Sequence, residues 1–500
     1  MSIASQLFSA TQAHQIDHYL IHNKKISSVL LMAKAAYACF NELLKQAPTK
    51  IIVVTAQGNN SGDGFMIASL AKMAGIDVTI FSAVPLKNFS SDSLYMLQYA
   101  QSLDINIIEL NDDYHYFTTE IIQADIVVDA IFGIGLNRDI DGKFAKIIDI
   151  INCHSSFTLS VDVPSGICAT TGQIRGSAIR ADITVSFIAP KFGLYTGDAP
   201  NYTGEIIFAP LVDISLEEFT PLASLLSIRD LPHYTQQITQ QKAINKSHKG
   251  HVAIIGGDIG MCGAAIMAAT AALTIGAGKV SLFTHPEHAH CSYINTPEIM
   301  CYGIEALAPY YPLLEKVDVI AIGCGMSKTL PWSNQIFKQI QSLDKPFIID
   351  AGGLGFLEGD ASILRNQVLI TPHEGEAARL LNTTSDKVRC DRLTALKRLH
   401  NQYHAMVLLK GHGSLIMDSS EIFLSRHGHQ ILATAGSGDV LTGLITGLYA
   451  QLKSLPEALK FAVLLQGLAS EEYAKNQGEH GFSATKLLPE IIKVLNNAIL

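Results

Sequence analysis

Short runs of β-branched and aliphatic residues alternate with helix-length amphipathic stretches along most of the chain. Parallel sheets covered by helices produce that alternation. Residues 51–55 (Ile-Ile-Val-Val-Thr) predict a buried strand, 65–74 a helix and 77–81 the next strand, with further strands at 126–129, 158–162 and 183–187. A second series is predicted at 252–255, 279–283, 319–322, 347–350, 368–370 and 406–409. Between the series, residues 212–247 are rich in Leu, Ser, Thr and Gln and carry Pro221 and Pro232. Two α/β domains are therefore expected, 1–216 and 222–500. The two series are not repeats of one another, so the chain reads as a fusion.

Composition narrows the class. Hydrophobic residues make up 48% and charged residues 16%, which suits large buried sheets and not a disordered chain. Net charge is −9 and no dense basic block occurs, which argues against nucleic acid as a partner. The 8 cysteines form no Cys-x-x-Cys pair and the 18 histidines no His-Glu-x-x-His, so neither zinc site nor disulfide framework is expected. A reducing cytoplasm is therefore the expected compartment, and residues 1–6 lack the basic start and apolar run of a signal peptide. Residues 261–278 are uncharged but rich in Ala, Gly and Thr, and predict a buried helix followed by a strand, not a membrane span.

Several glycine loops follow predicted strands, where open α/β sheets bind ligands. The first is Gln57-Gly58-Asn59-Asn60-Ser61-Gly62-Asp63-Gly64. It is neither Gly-x-Gly-x-x-Gly nor a Walker A loop, so a dehydrogenase or P-loop ATPase is disfavoured. Asp129 ends a strand before Ala130-Ile131-Phe132-Gly133-Ile134-Gly135-Leu136-Asn137-Arg138-Asp139, and Asp162 ends another before Val163-Pro164-Ser165-Gly166. Near the C-terminus, Gly436-Ser437-Gly438-Asp439 opens an apolar helix. Unobstructed N–H groups at a helix start cradle anions. An acid inside such a cradle suits proton abstraction from a hydroxyl during phosphoryl transfer; the plain alternative is a capped turn.

The three N-terminal motifs, with Ala189-Pro190-Lys191, resemble the NAD(P)H-hydrate epimerases over residues 10–216. The resemblance implies a Rossmann-like α/β/α domain in which Asn59, Asn60, Ser61, Gly62, Asp63, Gly133, Ile134, Gly135, Leu136, Asn137, Arg138, Asp139 and Asp162 contact the hydrated nicotinamide nucleotide. It also implies K+ held by Asn60, Asp129 and Ser165. Ser61 stands where glycine is usual and Ile134 where threonine is common. The hydrate carries its hydroxyl beside the ring nitrogen, so hydroxide can leave and water return on the other face. Asp162 is the expected acid/base group.

From residue 222 onward, Gly256-Gly257-Asp258, Met261-Cys262-Gly263-Ala264, Gly323-Cys324-Gly325, Asp350-Ala351-Gly352-Gly353-Leu354, Thr371-Pro372-His373-Glu374-Gly375-Glu376, Lys410-Gly411-His412-Gly413-Ser414 and the 436–439 loop resemble the ADP-dependent NAD(P)H-hydrate dehydratases, relatives of the ribokinase-like kinases. That resemblance implies a ribokinase-like α/β/α domain, hydrate contacts at Ala264, Gly325, His373 and Asp439, and adenine-nucleotide contacts at Lys410, Gly411, His412, Gly413, Ser414 and Gly438. It implies Asp439 as base, ADP as phosphate donor with Mg2+, and AMP and phosphate as products. Cys324, Ser327, Gly352 and Ser414 depart from the family's usual residues. NADH and NADPH hydrates and ADP are the expected partners, with no nucleic acid or membrane, and a homo-oligomer is expected. The rivals are a vitamin or sugar kinase, whose product is a stable phosphate ester, and a non-catalytic nucleotide-binding scaffold, which predicts eroded acids.

Overall fold

The computed structural model describes residues 5–89, 91–136, 138–213, 216–239, 246–291, 296–359, 367–419 and 421–499. The chain forms two compact units, Met1–Ser224 and Leu225–Leu500. Among the described residues no helix is long and apolar enough to cross a membrane. The segment predicted from its small residues as a buried helix and strand forms the helix Cys262–Thr274, followed by the strand Lys279–Thr284.

The first unit holds a seven-stranded sheet, in spatial order Asn106–Glu109, Asp77–Ser82, Lys50–Thr55, Ile126–Ala130, Thr158–Val161, Ile183–Phe187 and Glu205–Ala209. Every pairing is parallel. Strands buried on both faces read as continuous apolar runs, which is why 51–54 carry no polar residue. Helices Ser28–Leu44, Asn59–Met73 and Ser91–Ser102 cover one face through Met32, Phe65 and Met96. On the other, His115–Gln123 and Gly142–His154 bury Phe117, Ile147 and Ile151. The chain adds strands outward from Lys50–Thr55, then returns to the other side of that strand with Ile126–Ala130. The C-terminal ends of those two strands therefore part around a crevice.

The second unit follows the same rule. Parallel pairing runs from Met300–Gly303 through Lys279–Thr284, His251–Ile255, Val319–Ile322, Phe347–Ile349 and Val368–Ile370 to Met406–Leu409. An antiparallel hairpin, Ser414–Asp418 and Glu421–Ser425, extends it. The Ala-rich helix Cys262–Thr274 packs against Ser437–Leu452, and a Cβ at Gly443 would lie 2.1 Å from the Ala268 carbonyl. Small residues in both helices permit that approach. Of the strands the sequence pattern missed, Asn106–Glu109, Glu205–Ala209 and Met300–Gly303 are half-exposed, so they lack a buried apolar run.

One expectation changes here. The helix begins at Asn59, not near Phe65, so the polar stretch 59–63 forms its first turns and is not a loop. Gly58, at φ 124°, makes the turn that precedes it. Gly62 and Gly64, which read as loop glycines, are close-approach positions: a Cβ on Gly62 would stand 2.4 Å from Met32 Sδ, and one on Gly64 2.6 Å from Ala130 Cβ.

Candidate functional site

In the first unit, a cleft of about 620 Å3 opens at the sheet's switch point. Of the sequence-predicted residues it is lined by Asn59, Asn60, Asp63, Gly133, Ile134, Gly135, Leu136, Arg138 and Asp162. Asn137 lies outside the described residues. Asp139 is exposed and does not line the cleft, and Ser61 and Gly62 are buried behind it. The Ser61 hydroxyl donates to the Ala56 carbonyl and accepts from the Ala56 N–H at 3.0 Å, so it closes the turn and does not face a ligand.

Asp129 sits beneath the cleft, fully buried beside Ser160 on the next strand. Its Oδ2 accepts from Ser160 Oγ and the Ser165 N–H, both at 2.8 Å. Its Oδ1 accepts from Ser165 Oγ at 2.5 Å and the Ile131 N–H at 3.3 Å. Burial pushes its pKa up, and these donors pull it back. Ser165 Oγ in turn accepts from the Phe132 N–H at 2.8 Å. The Asp129–Ser165 pair thus fastens both strand-end loops together. The Asn60 amide, next to Gly133, has a buried Nδ2 with no hydrogen-bond partner.

Asp162 follows its strand with φ 67°, a left-handed conformation that Asp tolerates at some cost. That twist turns its carboxylate into the cleft, where Lys191 pairs with it and the Phe187 N–H donates at 3.1 Å. Lys191 is 2% exposed and also donates to the Phe187 carbonyl at 2.8 Å. Two more acids line the same space. Burial, then the charges of Asp162 and Asp17, hold the Asp63 pKa well above the carboxylate range. Asp17, with His14 one turn before it on the helix Ala10–His22, is raised mainly by burial. His14 and Asp17 escaped the sequence reading. Their signal was a polar pair beside the apolar stripe Ala13, Ile16 and Leu20.

The second unit's strand ends converge in the same way. Asp350, Thr371 and Lys410 each follow a parallel strand directly. Asp350 is 1% exposed; its Oδ1 accepts from Lys410 Nζ at 2.7 Å and its Oδ2 from Thr442 Oγ1 at 2.8 Å. Burial alone would raise the Asp350 pKa and lower that of Lys410, but their mutual attraction wins in both. Glu376 Oε2 lies 4.0 Å from the same ammonium. A Cβ on Gly438 would stand 3.4 Å from Lys410 Nζ, which places the ammonium at the cradle.

That cradle is the start of the helix Ser437–Leu452, with Gly436 as its N-cap at φ 92°. Ser437 Oγ is buried with no hydrogen-bond partner. Asp439 is half-buried in the first turn, and its pKa is pushed up to about 6. Burial is the largest cause; a hydrogen bond from the Cys324 thiol opposes it, Asp350 and Glu376 add to it, and Lys410 counters. Gly325, at φ 68°, admits no side chain, because a Cβ would lie 2.4 Å from the Met261 carbonyl. That same Cβ position is 3.3 Å from Ala264, so the structure brings Ala264, Gly325 and Asp439 to one end of the site.

His373 caps the helix Glu374–Leu380 through Nδ1 and lies 3.5 Å from Glu376. Gly411, His412 and Gly413 complete the turn that begins at Lys410, and Ser414 opens the strand that follows. Gly352, where the family's usual carboxylate is missing, faces the Met326 carbonyl at 1.7 Å from a notional Cβ, so this backbone has no room for one.

Two protein families match the chain. One, described as YjeF-related protein N-terminus, covers residues 28–193, and the other, NAD(P)H-hydrate dehydratase, covers 252–493. A bifunctional NAD(P)H-hydrate repair enzyme of Coxiella burnetii is 34% identical over 98% of this chain and 99% of its own. One of Vibrio cholerae is 33% identical over 99% of each. A crystal structure of a ribokinase-like superfamily protein from Enterococcus faecalis is 27% identical, with a TM-score of 0.51, and covers 57% of this chain and 99% of its own. The second unit therefore has the ribokinase-like fold. On sequence similarity along nearly its whole length, the chain belongs to the family of bifunctional NAD(P)H-hydrate repair enzymes.

Proposed function

We propose that the first unit interconverts the R and S hydrates of NADH and NADPH, and that the second dehydrates the S form with ADP, yielding AMP, phosphate and the reduced nucleotide. The observation that supports this most is Asp439: a carboxylate with its pKa near 6, set among N–H donors at a helix start and beside the Lys410 ammonium. A base near neutrality can take the proton of the hydrate hydroxyl as phosphate arrives from ADP. The helix-start N–H groups and Lys410 offset the charge that develops on the transferring group. Phosphate then leaves with the push of the ring nitrogen, and loss of a proton from the ring carbon beside the one that carried it restores the dihydropyridine. Mg2+ held by the ADP oxygens would offset the diphosphate charge. Ala264, Gly325 and His373 would contact the hydrate, and Lys410 to Ser414 with Gly438 the nucleotide.

In the first unit, Asp162 would assist loss of hydroxide from one face and its return to the other. Lys191 pairs with its carboxylate and fixes its place in the cleft. K+ fits the uncommitted Asn60 amide, whose oxygen and nitrogen can exchange places. The Asp129 oxygens already accept four hydrogen bonds, so Asp129 and Ser165 would supply negative charge and a fixed loop more than free ligands. Cytoplasmic residence and self-association complete the reading.

The test is incubation with mixed hydrate epimers and ADP, with K+ present or replaced by Na+. Full recovery of reduced-nicotinamide absorbance with equimolar AMP is expected. Recovery that stops when the S form is spent would overturn the epimerase half. A stable phosphate ester would favour the kinase reading instead.

A further inference from the structure

The nucleotide turn rests on a side chain that no motif announces. Arg392 is the first residue of the helix Arg392–Tyr403 and is 1% exposed. A cation at a helix N-terminus is disfavoured by the dipole, and burial adds a desolvation cost. Burial lowers its pKa to about 10, so it stays charged at neutral pH. The compensation lies in the turn. Nη1 donates to the carbonyls of His412 and Gly413, the latter at 2.8 Å, and Nη2 to those of Leu409 at 3.3 Å and Lys410 at 3.2 Å. Glu374 Oε1 lies 3.4 Å from Nε as its counter-ion. Gly411, at φ 142°, is required here, since a Cβ would stand 2.7 Å from Nη2.

Planar trans peptides convert this into a statement about the other side of the loop. In each peptide the C=O and the following N–H point in opposite directions. Carbonyls of Lys410 and His412 aimed at the guanidinium turn the N–H groups of Gly411 and Gly413 away from it. Successive N–H groups facing one way form an anion-binding nest.

Resting on the reading of 410–414 as the nucleotide turn, we infer that Arg392 is a positioning residue. Its fork holds four carbonyls so that the turn presents N–H groups to the ADP phosphates, and it therefore sets nucleotide affinity without touching nucleotide or hydrate. A lysine cannot reproduce it, because one ammonium cannot reach all four carbonyls in the plane of a fork.

The experiment uses the full chain carrying Arg392→Lys, Arg392→Met or Glu374→Gln. It reads KM for ADP from AMP release, KM for the S hydrate, kcat, and ADP binding by calorimetry. The two Arg392 variants should raise the ADP KM and Kd by about tenfold or more, the scale of lost charge-assisted hydrogen bonds, with the hydrate KM within about twofold. Glu374→Gln should give a smaller rise in the same direction. A folded Arg392 variant that binds ADP as the parent does would overturn the inference. If neither Arg392 variant folds, an unchanged ADP KM in Glu374→Gln overturns it. A parent chain that binds no ADP would instead overturn the nucleotide reading itself.

Discussion

The two units solve the same topological problem with opposite treatments of a carboxylate. In the first, the acid at the strand end, Asp129, is sealed under the loops with its oxygens occupied, and the acid that reaches the cleft, Asp162, is paired with a buried lysine. In the second, Lys410 is hydrogen-bonded to Asp350, and Asp439 takes the Cys324 thiol as its side-chain donor with Lys410 acting on it through charge. Pairing suits a group that must hold one position while hydroxide leaves one face and water returns on the other. Burial without a direct ion pair suits a base that must bind a proton near neutral pH. Neither assignment follows from the fold, since both sites lie at the strand-end edge of a parallel sheet; both follow from which neighbours the acids meet.

That contrast can be broken by substitution. Asp439→Asn should cut AMP formation by about 10²- to 10⁴-fold while epimer interconversion continues at the parent rate, measured by chromatography of the two hydrates. Asp162→Asn should do the reverse. Interconversion should fall about 10²-fold or more while pure S hydrate is still consumed with ADP, and full-rate interconversion would remove Asp162 from its role. Asp129→Ala should cost about 3 kcal/mol in the unfolding of the first unit by denaturant titration, because it strands buried donors of Ser160 and Ser165.

The smallest effect sharpens the comparison most. Dehydration should lose rate as pH falls through about 6, since the value of Asp439 is raised and its carboxylate form fades below that point. Cys324→Ala, by removing a donor that favours the ionised form, should move this acid limb upward, and Cys324→Ser should leave it in place. Epimerisation should show no change in either variant. A limb that ignores Cys324 would mean that burial and the charges of Asp350, Glu376 and Lys410 tune Asp439 without the thiol.

Much of this was legible in the chain because buried parallel strands leave apolar runs and the loops after them leave glycines. The paired motifs at 129–139 and 162–166 located one crevice, and 436–439 the other. What stayed hidden is long-range pairing. Lys191 reaches Asp162 across 29 residues, and Thr442 reaches Asp350 across 92. The stretch 59–64 reads as a loop because its glycines look like turn residues, whereas they serve the close passage of Met32 and Ala130. Arg392 is silent in sequence, since its partners are main-chain carbonyls that any residue could supply.

The Asp129–Ser165 fastening has a consequence in hydrogen exchange. The amides of Ile131, Phe132 and Ser165 belong to no helix or strand, yet each donates to a buried side chain. Their deuterium uptake would follow the opening of the sheet and not the mobility of a surface loop. Gly135 and Arg138, on the open side of the same segment, would label early. The border between slow and fast exchange would then fall within a single loop, marking where scaffold ends and ligand surface begins.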